Sequence, residues 1–278
     1  MPQTTKGDAF ITGAATGIGA ATTKRLAEAG YRVFAGVHTE TGSLAGTPNV
    51  QPVAIDVTDP VSVENAAKVV EEAVGGDGLR AVVNNAGVIV SGPLELLPPE
   101  ELRRQFEINT LGPAHVIQAF LPLVRAGKGR IVSISAPTAR VPIPFSLIGA
   151  TKAALESLSD SLRIELGAWG IPVVVIEPGG TDTAIFQKAD TATQAALGAA
   201  DPARVALYSD QLAAVAKAAA KQKLGSADAV AKTIVDAVTA RKPKRRYMAG
   251  SGVAIFGVLA HLPTSLRERL IKTVFGLG

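Results

Sequence analysis

The chain has 278 residues, 47% of them hydrophobic, and a mild formal net charge of +4. This length suits one α/β domain with an elaboration, and the scattered basic residues give no reason to expect nucleic-acid binding. The absence of cysteine excludes disulfides and thiolate metal sites, so we expect no metal site and predict a cytoplasmic location. We also expect neither a signal peptide nor a transmembrane segment, since no apolar run reaches bilayer thickness.

The first elements are predicted within Asp8–Val37, where a strand, a glycine turn, a helix and a second strand follow one another. Their bounds are Ala9–Ile11, Gly13–Gly19, Ala20–Ala29 and Tyr31–Val37. Glycines in a strand-to-helix turn let the backbone approach a phosphate, and the helix N-terminus presents free N–H groups to an anion. The order of elements favours a phosphate-binding turn over an ordinary glycine-rich connection.

The remaining elements continue to alternate between strand and helix. The predicted strands are Asn49–Ile55, Leu79–Val83, Gly129–Ser135, Pro172–Ile176 and Arg245–Ala249, and the predicted helices are Pro60–Val74, Pro98–Phe106, Ile108–Arg125, Ile148–Gly167 and Ser226–Ala240. This alternation predicts a doubly wound parallel sheet, a Rossmann-like α/β fold, in a single domain spanning 1–278. Because ligands bind such sheets beyond the carboxyl ends of the strands, the segments after the strands should converge on one crevice.

Two segments lie outside this alternation. Residues 184–225 are helical in composition, and we predict that they form a substrate lid over the crevice. The tail at 263–278 is amphipathic and basic. For it we favour a helix packed on its own domain over a helix that binds a membrane surface or a partner.

Six motifs, in chain order, resemble those of the classical short-chain dehydrogenase/reductase family over about Asp8–Gly250. They are TGAATGIG at 12–19, Asp56-Val57, NNAG at 84–87, Asn109 in INTLG, Lys152 in ATKAAL, and Pro178-Gly179 with Thr183. The resemblance implies a nicotinamide dinucleotide cofactor, a small-molecule substrate and oxidoreductase chemistry. It also implies a homodimer or homotetramer, which this family often forms through two long helices, here Ile108–Arg125 and Ile148–Gly167.

The resemblance further implies which residues contact the cofactor and the reacting groups. Lys152 would bind the nicotinamide ribose and lower a neighbouring pKa, and the Asn109 backbone would hold a proton-relay water. The implied cofactor contacts are Gly13, Thr16, Gly17, Ile18, Gly19, His38, Asp56, Val57, Asn85, Ala86, Gly87, Lys152, Pro178, Gly179, Thr181 and Thr183.

The chain departs from the family at the proton donor. The family places a tyrosine four residues before the lysine, but this position is Ile148, and an isoleucine cannot transfer a proton. The family serine that binds the substrate carbonyl falls on Ala136 by strand register, which we favour. Counting thirteen residues back from Ile148, the family's common interval, selects Ser135, so Ser135 stays a candidate. Tyr208, in the predicted lid, is a further candidate proton donor.

The cofactor preference is predicted from the end of the second strand, where an acidic residue would bind the ribose 2′-hydroxyl and favour NAD. The sequence AGVHTET has His38 there, where NADP-preferring relatives often carry arginine, and Glu40 is two residues further on. We therefore favour NADP and keep NAD as the alternative.

Two functions remain open. In the first, the protein is an atypical NAD(P)-dependent oxidoreductase acting on a carbonyl or hydroxyl of a bulky apolar substrate, such as a polyketide, steroid or retinoid. Lys152, a water near Asn109, or a substrate hydroxyl would then replace the tyrosine proton. In the second, the same fold serves as a non-redox sensor or scaffold that binds a dinucleotide.

Overall fold

The structure is a computed structural model that describes residues 5–39, 42–44 and 46–277. Within these residues the chain forms nine β-strands. They are β1 (Asp8–Thr12), β2 (Arg32–Val37), β3 (Val50–Ala54), β4 (Ala81–Asn84), β5 (Arg130–Ile134), β6 (Val173–Pro178), β7 (Thr181–Asp182), β8 (Gly225–Ser226) and β9 (Arg246–Ala249). All except β7 and β8 form one parallel sheet in the order β3-β2-β1-β4-β5-β6-β9. The chain order reverses between β1 and β4, and this reversal is the switch point at which such sheets bind ligands.

Helices cover both faces of the sheet. They are α1 (Gly17–Glu28), α2 (Pro60–Val74), α3 (Pro99–Phe106), α4 (Gly112–Ala126), α5 (Leu147–Glu165), α6 (Ala184–Ala199), α7 (Pro202–Leu207), α8 (Ser209–Ala220), α9 (Ala227–Thr239), α10 (Val253–Leu259) and α11 (Thr264–Phe275). Alternate residues of each strand point to opposite faces, so Ile11 packs in the core beneath α1 and α9, whereas Phe10 stacks on Phe120 of α4. The predicted doubly wound α/β fold is confirmed.

The approach to α4 differs from the prediction. A single helix over Ile108–Arg125 was wrong at its start, because Glu107–Leu111 forms a wider π-helical turn that joins α3 to α4. Gly112 donates its N–H to the Glu107 carbonyl, five residues back rather than four. Pro113 supplies a physical reason, since it has no N–H to donate to the Asn109 carbonyl four residues back.

The segment after β6 leaves the sheet and returns to it. Thr181 pairs in parallel with Gly225, and Asp182 pairs with Ser226, so the two ends of the excursion are tied together. Helices α6, α7 and α8 lie between them, and Ala196 of α6 packs with Val90 in a small third apolar cluster. None of the helices within the described ranges is long and apolar enough to cross a membrane.

Candidate active site

The glycine turn after β1 is shaped so that only glycine fits. Gly13 and Gly17 have φ values of 63° and 54°, in the left-handed region that L-residues rarely adopt. A β-carbon on Gly19 would overlap the Gly13 carbonyl oxygen and lie 2.6 Å from Asn85 Nδ2. The Asn85 amide itself donates to the Thr12 and Gly13 carbonyls, at 2.9 and 3.0 Å. The turn is therefore held against the end of β4.

Thr12 is a site residue that the sequence interpretation did not single out. Its Oγ1 accepts the backbone N–H groups of both Asn85 and Ala86, each at 3.0 Å. A hydroxyl at the end of a buried strand needs such partners, and this need was the available signal. Thr12 thereby fixes the carboxyl ends of β1 and β4 on either side of the switch point.

The first turn of α1 faces the same edge of the sheet. Thr16 precedes the helix in an extended conformation, and within the described chain its side chain caps none of the helix N–H groups. Ile18 packs against the core, and a β-carbon on Gly17 would lie 3.1 Å from the methyl group of Thr183. This backbone cradle and its N–H groups fit a pyrophosphate of a dinucleotide.

The ends of β2 and β3 bring His38 and Asp56 together. His38 Nε2 lies 3.4 Å from Asp56 Oδ2, and the other carboxylate oxygen accepts the Thr58 hydroxyl at 2.7 Å. The hydrogen bond from Thr58, with His38 contributing less, lowers the pKa of Asp56. Val57 is buried beside Asp56. Glu40, which the sequence interpretation weighed as a substitute acid, lies outside the described residues.

Asn109 is fully buried in the π-helical turn and ties it to the segment after β4. Its Oδ1 accepts the Val88 N–H, and its Nδ2 donates to the Val88 carbonyl, both at 2.9 Å. Nδ2 also lies within 3.1 Å of the Thr151 hydroxyl, next to Lys152 in α5. These bonds fix the Asn109 side chain between the segment after β4 and the start of α5.

Lys152 is a buried lysine whose ammonium bonds to a backbone carbonyl. Its Nζ donates to the Ile134 carbonyl at 2.8 Å, and among the described residues no carboxylate oxygen lies within 4.0 Å of it. Burial alone lowers the pKa of Lys152 from 10.5 to about 8. A β-carbon on Gly87 would lie 3.7 Å from Nζ and 3.2 Å from Asn109 Oδ1, so these three residues meet at one point.

The segment after β6 reaches the crevice through Pro178, Gly179, Thr181 and Thr183. Gly179 donates its N–H to the Ala249 carbonyl at 2.8 Å, and a β-carbon there would overlap the Ser251 carbonyl oxygen. Thr181 Oγ1 donates to the Gly179 carbonyl at 2.8 Å, which stiffens the turn. Thr183 follows and lies over Gly17, as described above.

Ile148 stands where the family has its tyrosine, and Ala136 or Ser135 stands where it has its serine. Ile148 is half-buried in the first turn of α5, one turn before Lys152. Ser135 is buried, and its hydroxyl donates to Glu156 Oε1 at 2.6 Å, while Lys152 Nζ bonds to a carbonyl instead. The structure therefore does not bring the Ser135 hydroxyl together with Lys152. Ala136 is the next residue and is half-buried.

The side chain of Tyr208 makes its contacts with residues other than Lys152, Asn109 and Gly87. Its hydroxyl donates to Glu95 Oε2 at 2.8 Å, and its ring lies edge-on to Phe145, 6.3 Å between centroids. The bond to the Glu95 carboxylate raises the pKa of Tyr208, which makes it a poorer acid. Its contacts join the α7–α8 junction to the segments after β4 and β5.

A buried ionic network lies beside the site, and the sequence interpretation missed it. Arg246 of β9 bonds to Glu156 at 2.6 Å and also to Glu177, while Arg140 holds Glu177 through two bonds of 2.9 Å. Glu177 is fully buried and directly precedes Pro178. Burial raises the pKa of Glu156, although Ser135 and Arg246 oppose the rise.

Removing the Glu177 charge is expected to destabilise the fold. Glu177→Gln removes the carboxylate that binds Arg140, and among the described residues no other carboxylate pairs with this arginine. We expect it to lower the free energy of unfolding by about 3 kcal/mol, the low end for a broken buried pair. The low end applies because the side chains of Arg140 and Arg246 remain 27% and 26% exposed.

The free energy of unfolding is measured by chemical denaturation, with Glu28→Gln as the control. Glu28 is 61% exposed and 4.0 Å from Lys24, so its change should stay below about 0.5 kcal/mol. Equal effects of the two changes would contradict a structural role for the network.

The fold and this edge of the sheet define a Rossmann-type protein whose switch point carries a glycine turn suited to a dinucleotide. A family model described as short chain dehydrogenase matches residues 8–194, and the chain belongs to this family of oxidoreductases. It is 31% identical to an NADPH-dependent 3-dehydrocapnine reductase of Ornithobacterium rhinotracheale, covering 96% of this chain and 95% of that protein. It is also 31% identical to human retinol dehydrogenase 5, covering 95% and 87%.

Solved structures agree with the fold. A short chain dehydrogenase from Burkholderia cenocepacia in complex with NADP matches with a TM-score of 0.75 and 27% identity, over 96% of this chain and 98% of that one. The family predicted from the motifs is therefore confirmed.

Proposed function

We propose that the protein is an NADP-dependent oxidoreductase that interconverts a carbonyl and a hydroxyl on a bulky apolar substrate without a tyrosine acid. The single observation that carries the proposal is Lys152, buried at the meeting point of Gly87 and Asn109 and without an acidic partner among the described residues. A pKa of about 8 is suited to giving and taking a proton near neutral pH.

The relatives support the finer parts of the proposal. One is named as an NADPH-dependent reductase and another as a retinol dehydrogenase, and a solved neighbour is a complex with NADP. The described end of β2 presents His38 rather than an acid, which also favours NADP over NAD. A polyketide-, steroid- or retinoid-like substrate would suit the alanine-rich helices α6–α8, which we propose act as the lid.

The chain's own residues would divide the work as follows. The nicotinamide, when bound, supplies or accepts the hydride. Lys152 holds the proton at Nζ and releases it to the developing alkoxide in reduction, or takes it up in oxidation. The Asn109 carbonyl cannot accept a bond from Pro113, four residues on, and would hold a water that returns the proton to Nζ. Ile148 and Ala136 make the crevice wall apolar, which excludes other water.

The proposal is tested by NADPH oxidation with a panel of apolar ketones. Wild-type protein should oxidise NADPH with at least one steroid- or retinoid-like carbonyl compound, and faster than with a small polar ketone of matched reactivity. Calorimetry of NADPH binding is run in parallel. Binding without oxidation of any compound in the panel would instead favour the sensor or scaffold function.

Restoring the family residues is expected to add activity on simple ketones. Ile148→Tyr would place a phenol one helical turn from Lys152, where the ammonium should depress its pKa. With Ala136→Ser added, reduction of simple ketones should rise by about 10²-fold or more, the usual contribution of a general acid. The measurement is NADPH oxidation by wild type, both single variants and the double variant.

The control for this gain is Val69→Tyr, a substitution of an exposed valine on α2, away from the crevice and from the proposed interface. Melting temperatures are recorded for all variants, since a larger ring at position 148 can overpack the site by about 1–3 kcal/mol. A folded double variant that binds NADPH and stays inactive would show that the crevice geometry differs from that of the family.

The assembly and the location remain predictions. We propose that α4 and α5 form a dimer or tetramer interface, since Ile164 of α5 is exposed, as are Leu111 just before α4 and Trp169 just after α5. Light scattering of the purified protein tests this prediction, and a cytoplasmic location is tested by fractionation.

A further inference from the structure

Helices α7 and α8, residues 202–220, form the second part of the proposed lid and are called the flap. Every residue of the flap is described, and none of them is fully buried; Leu212 and Val215 are only half-buried. Helix α6, which precedes the flap, buries Ala189 and Ala196. Most of the stability of a helix in a protein comes from packing of its apolar face, so the flap depends on individual contacts to stay in place.

The chain is anchored on both sides of the flap. Before the flap, Ala196 of α6 packs with Val90 of the segment after β4. After the flap, the Leu224 side chain lies so close to Gly180 that a β-carbon on this glycine would be 3.0 Å from it. The flap can therefore move while the residues on either side of it stay in place.

Tyr208, at the junction of α7 and α8, connects the flap to two segments that follow strands of the sheet. Its hydroxyl donates to Glu95 Oε2 at 2.8 Å, and Glu95 lies in the segment after β4. Its ring lies edge-on to Phe145, in the segment after β5, with 6.3 Å between the ring centroids. The Gly92 N–H donates to the Phe145 carbonyl at 3.1 Å, which ties the two segments to each other. One side chain of the flap therefore contacts both segments.

The backbone of Phe145 lies in an uncommon conformation. Its φ of 59° is in the left-handed region, where a bulky residue is an outlier. Such conformations persist only where the surroundings hold them, and they cluster at ligand clamps and switch regions. The Tyr208 ring and the Gly92 N–H both contact Phe145, which lies three residues before Ile148. The strained residue therefore lies where the flap meets the segment that leads into the candidate active site.

We propose that Tyr208 and Glu95 form a latch that keeps the flap closed against Phe145, and that the flap opens when this hydrogen bond breaks. The bond ends on a carboxylate, so it is stronger than a bond between neutral groups. It also lies at the surface, where water can replace either partner. A bulky apolar substrate would enter the crevice through the open flap. This consequence rests on the proposed function, whereas the latch itself does not.

The test is amide hydrogen exchange of the full chain, without dinucleotide or substrate, followed by mass spectrometry of its peptides. Tyr208→Phe keeps the ring and removes only the hydroxyl, so exchange in residues 202–220 should become about fivefold faster. Glu95→Ala should have the same effect. Glu95→Gln keeps an acceptor oxygen without the charge and should accelerate exchange only about twofold. Tyr208→Phe combined with Glu95→Ala should exchange no faster than either single variant, because both changes remove the same bond.

The matched control is Tyr247→Phe, which removes a tyrosine hydroxyl that accepts the Lys244 N–H at 3.0 Å. It should leave exchange in the flap unchanged, and α9 serves as the internal reference in every variant. The proposal is overturned if Tyr208→Phe exchanges at the wild-type rate in residues 202–220, or if the effects of the two single variants add. It also fails if exchange in α9 rises by the same factor, since the bond would then stabilise the whole fold rather than the flap. Because no turnover is measured, these outcomes are independent of the proposed function.

Discussion

Gly19→Ala is expected to weaken dinucleotide binding by about 10²-fold or more. The added methyl group would overlap the Gly13 carbonyl oxygen and crowd Asn85 Nδ2 at 2.6 Å. Neither neighbour can yield freely, because the first is backbone and the second is bonded to the Thr12 and Gly13 carbonyls. The turn must open, which displaces the N–H groups that face the pyrophosphate. A displacement of about 1 Å typically costs about 10²-fold, and calorimetry with NADPH measures the loss.

The matched control is Gly167→Ala, which adds the same methyl group where nothing lies within 4 Å of it. It should bind NADPH with the affinity of the wild type. Circular dichroism and melting curves separate loss of the site from loss of the fold. Wild-type affinity in a folded Gly19→Ala protein would contradict the assignment of this turn to the cofactor.

Lys152→Met is expected to trade activity for stability. Removing the proton donor should lower the turnover number about 10²–10⁴-fold at saturating NADPH and substrate. At pH 7 the same change should raise the free energy of unfolding by about 3 kcal/mol. That figure follows from the drop in pKa from 10.5 to about 8 at about 1.4 kcal/mol per unit. Kinetics and chemical denaturation of the same protein measure the two effects.

The free energy of unfolding of the wild type is expected to increase as the pH rises through the pKa range of Lys152. Between about pH 8 and 10.5 the unfolded chain binds a proton at Lys152 that the folded chain has released, so wild-type stability should rise with pH in this window. The advantage of Lys152→Met should shrink over the same window. Lys24→Met, at a lysine that is 72% exposed, is the control and should change neither activity nor the pH profile. An unstabilised, fully active Lys152→Met protein would contradict the role of the buried ammonium.

The position of the glycine turn could be predicted from the sequence. The spacing of Gly13, Gly17 and Gly19 carries a backbone requirement that no other residue type meets, so its position in the sheet was predictable. The parallel alternation and the meeting of strand ends followed from hydrophobic pattern alone. Asp56, Asn85 and Thr183 lie at the same edge of the sheet because each follows the carboxyl end of a parallel strand.

The buried ionic network of Glu156, Glu177, Arg140 and Arg246 could not be predicted from the sequence. Glu156 and Arg246 are 90 residues apart in the chain, and nothing local indicates that they pair across α5 and β9. The same network decides the role of Ser135, whose hydroxyl is drawn to Glu156. The π-helical turn was also missed, because the periodicity that predicts a helix does not reveal one extra residue in a turn. Its cause, Pro113, is visible only once the helix is seen to continue through it.

The measurement that tests the account most directly is transfer of deuterium from NADPH labelled at C4 to the substrate. Each of the two labelled epimers is incubated with wild-type protein and the ketone panel, and the alcohol products are examined by mass spectrometry. The account predicts that one epimer delivers deuterium to the carbinol carbon of an apolar product, and that the rate falls as the pH rises above about 8, where Lys152 loses its proton. Tight NADPH binding with no deuterium in any product would contradict it.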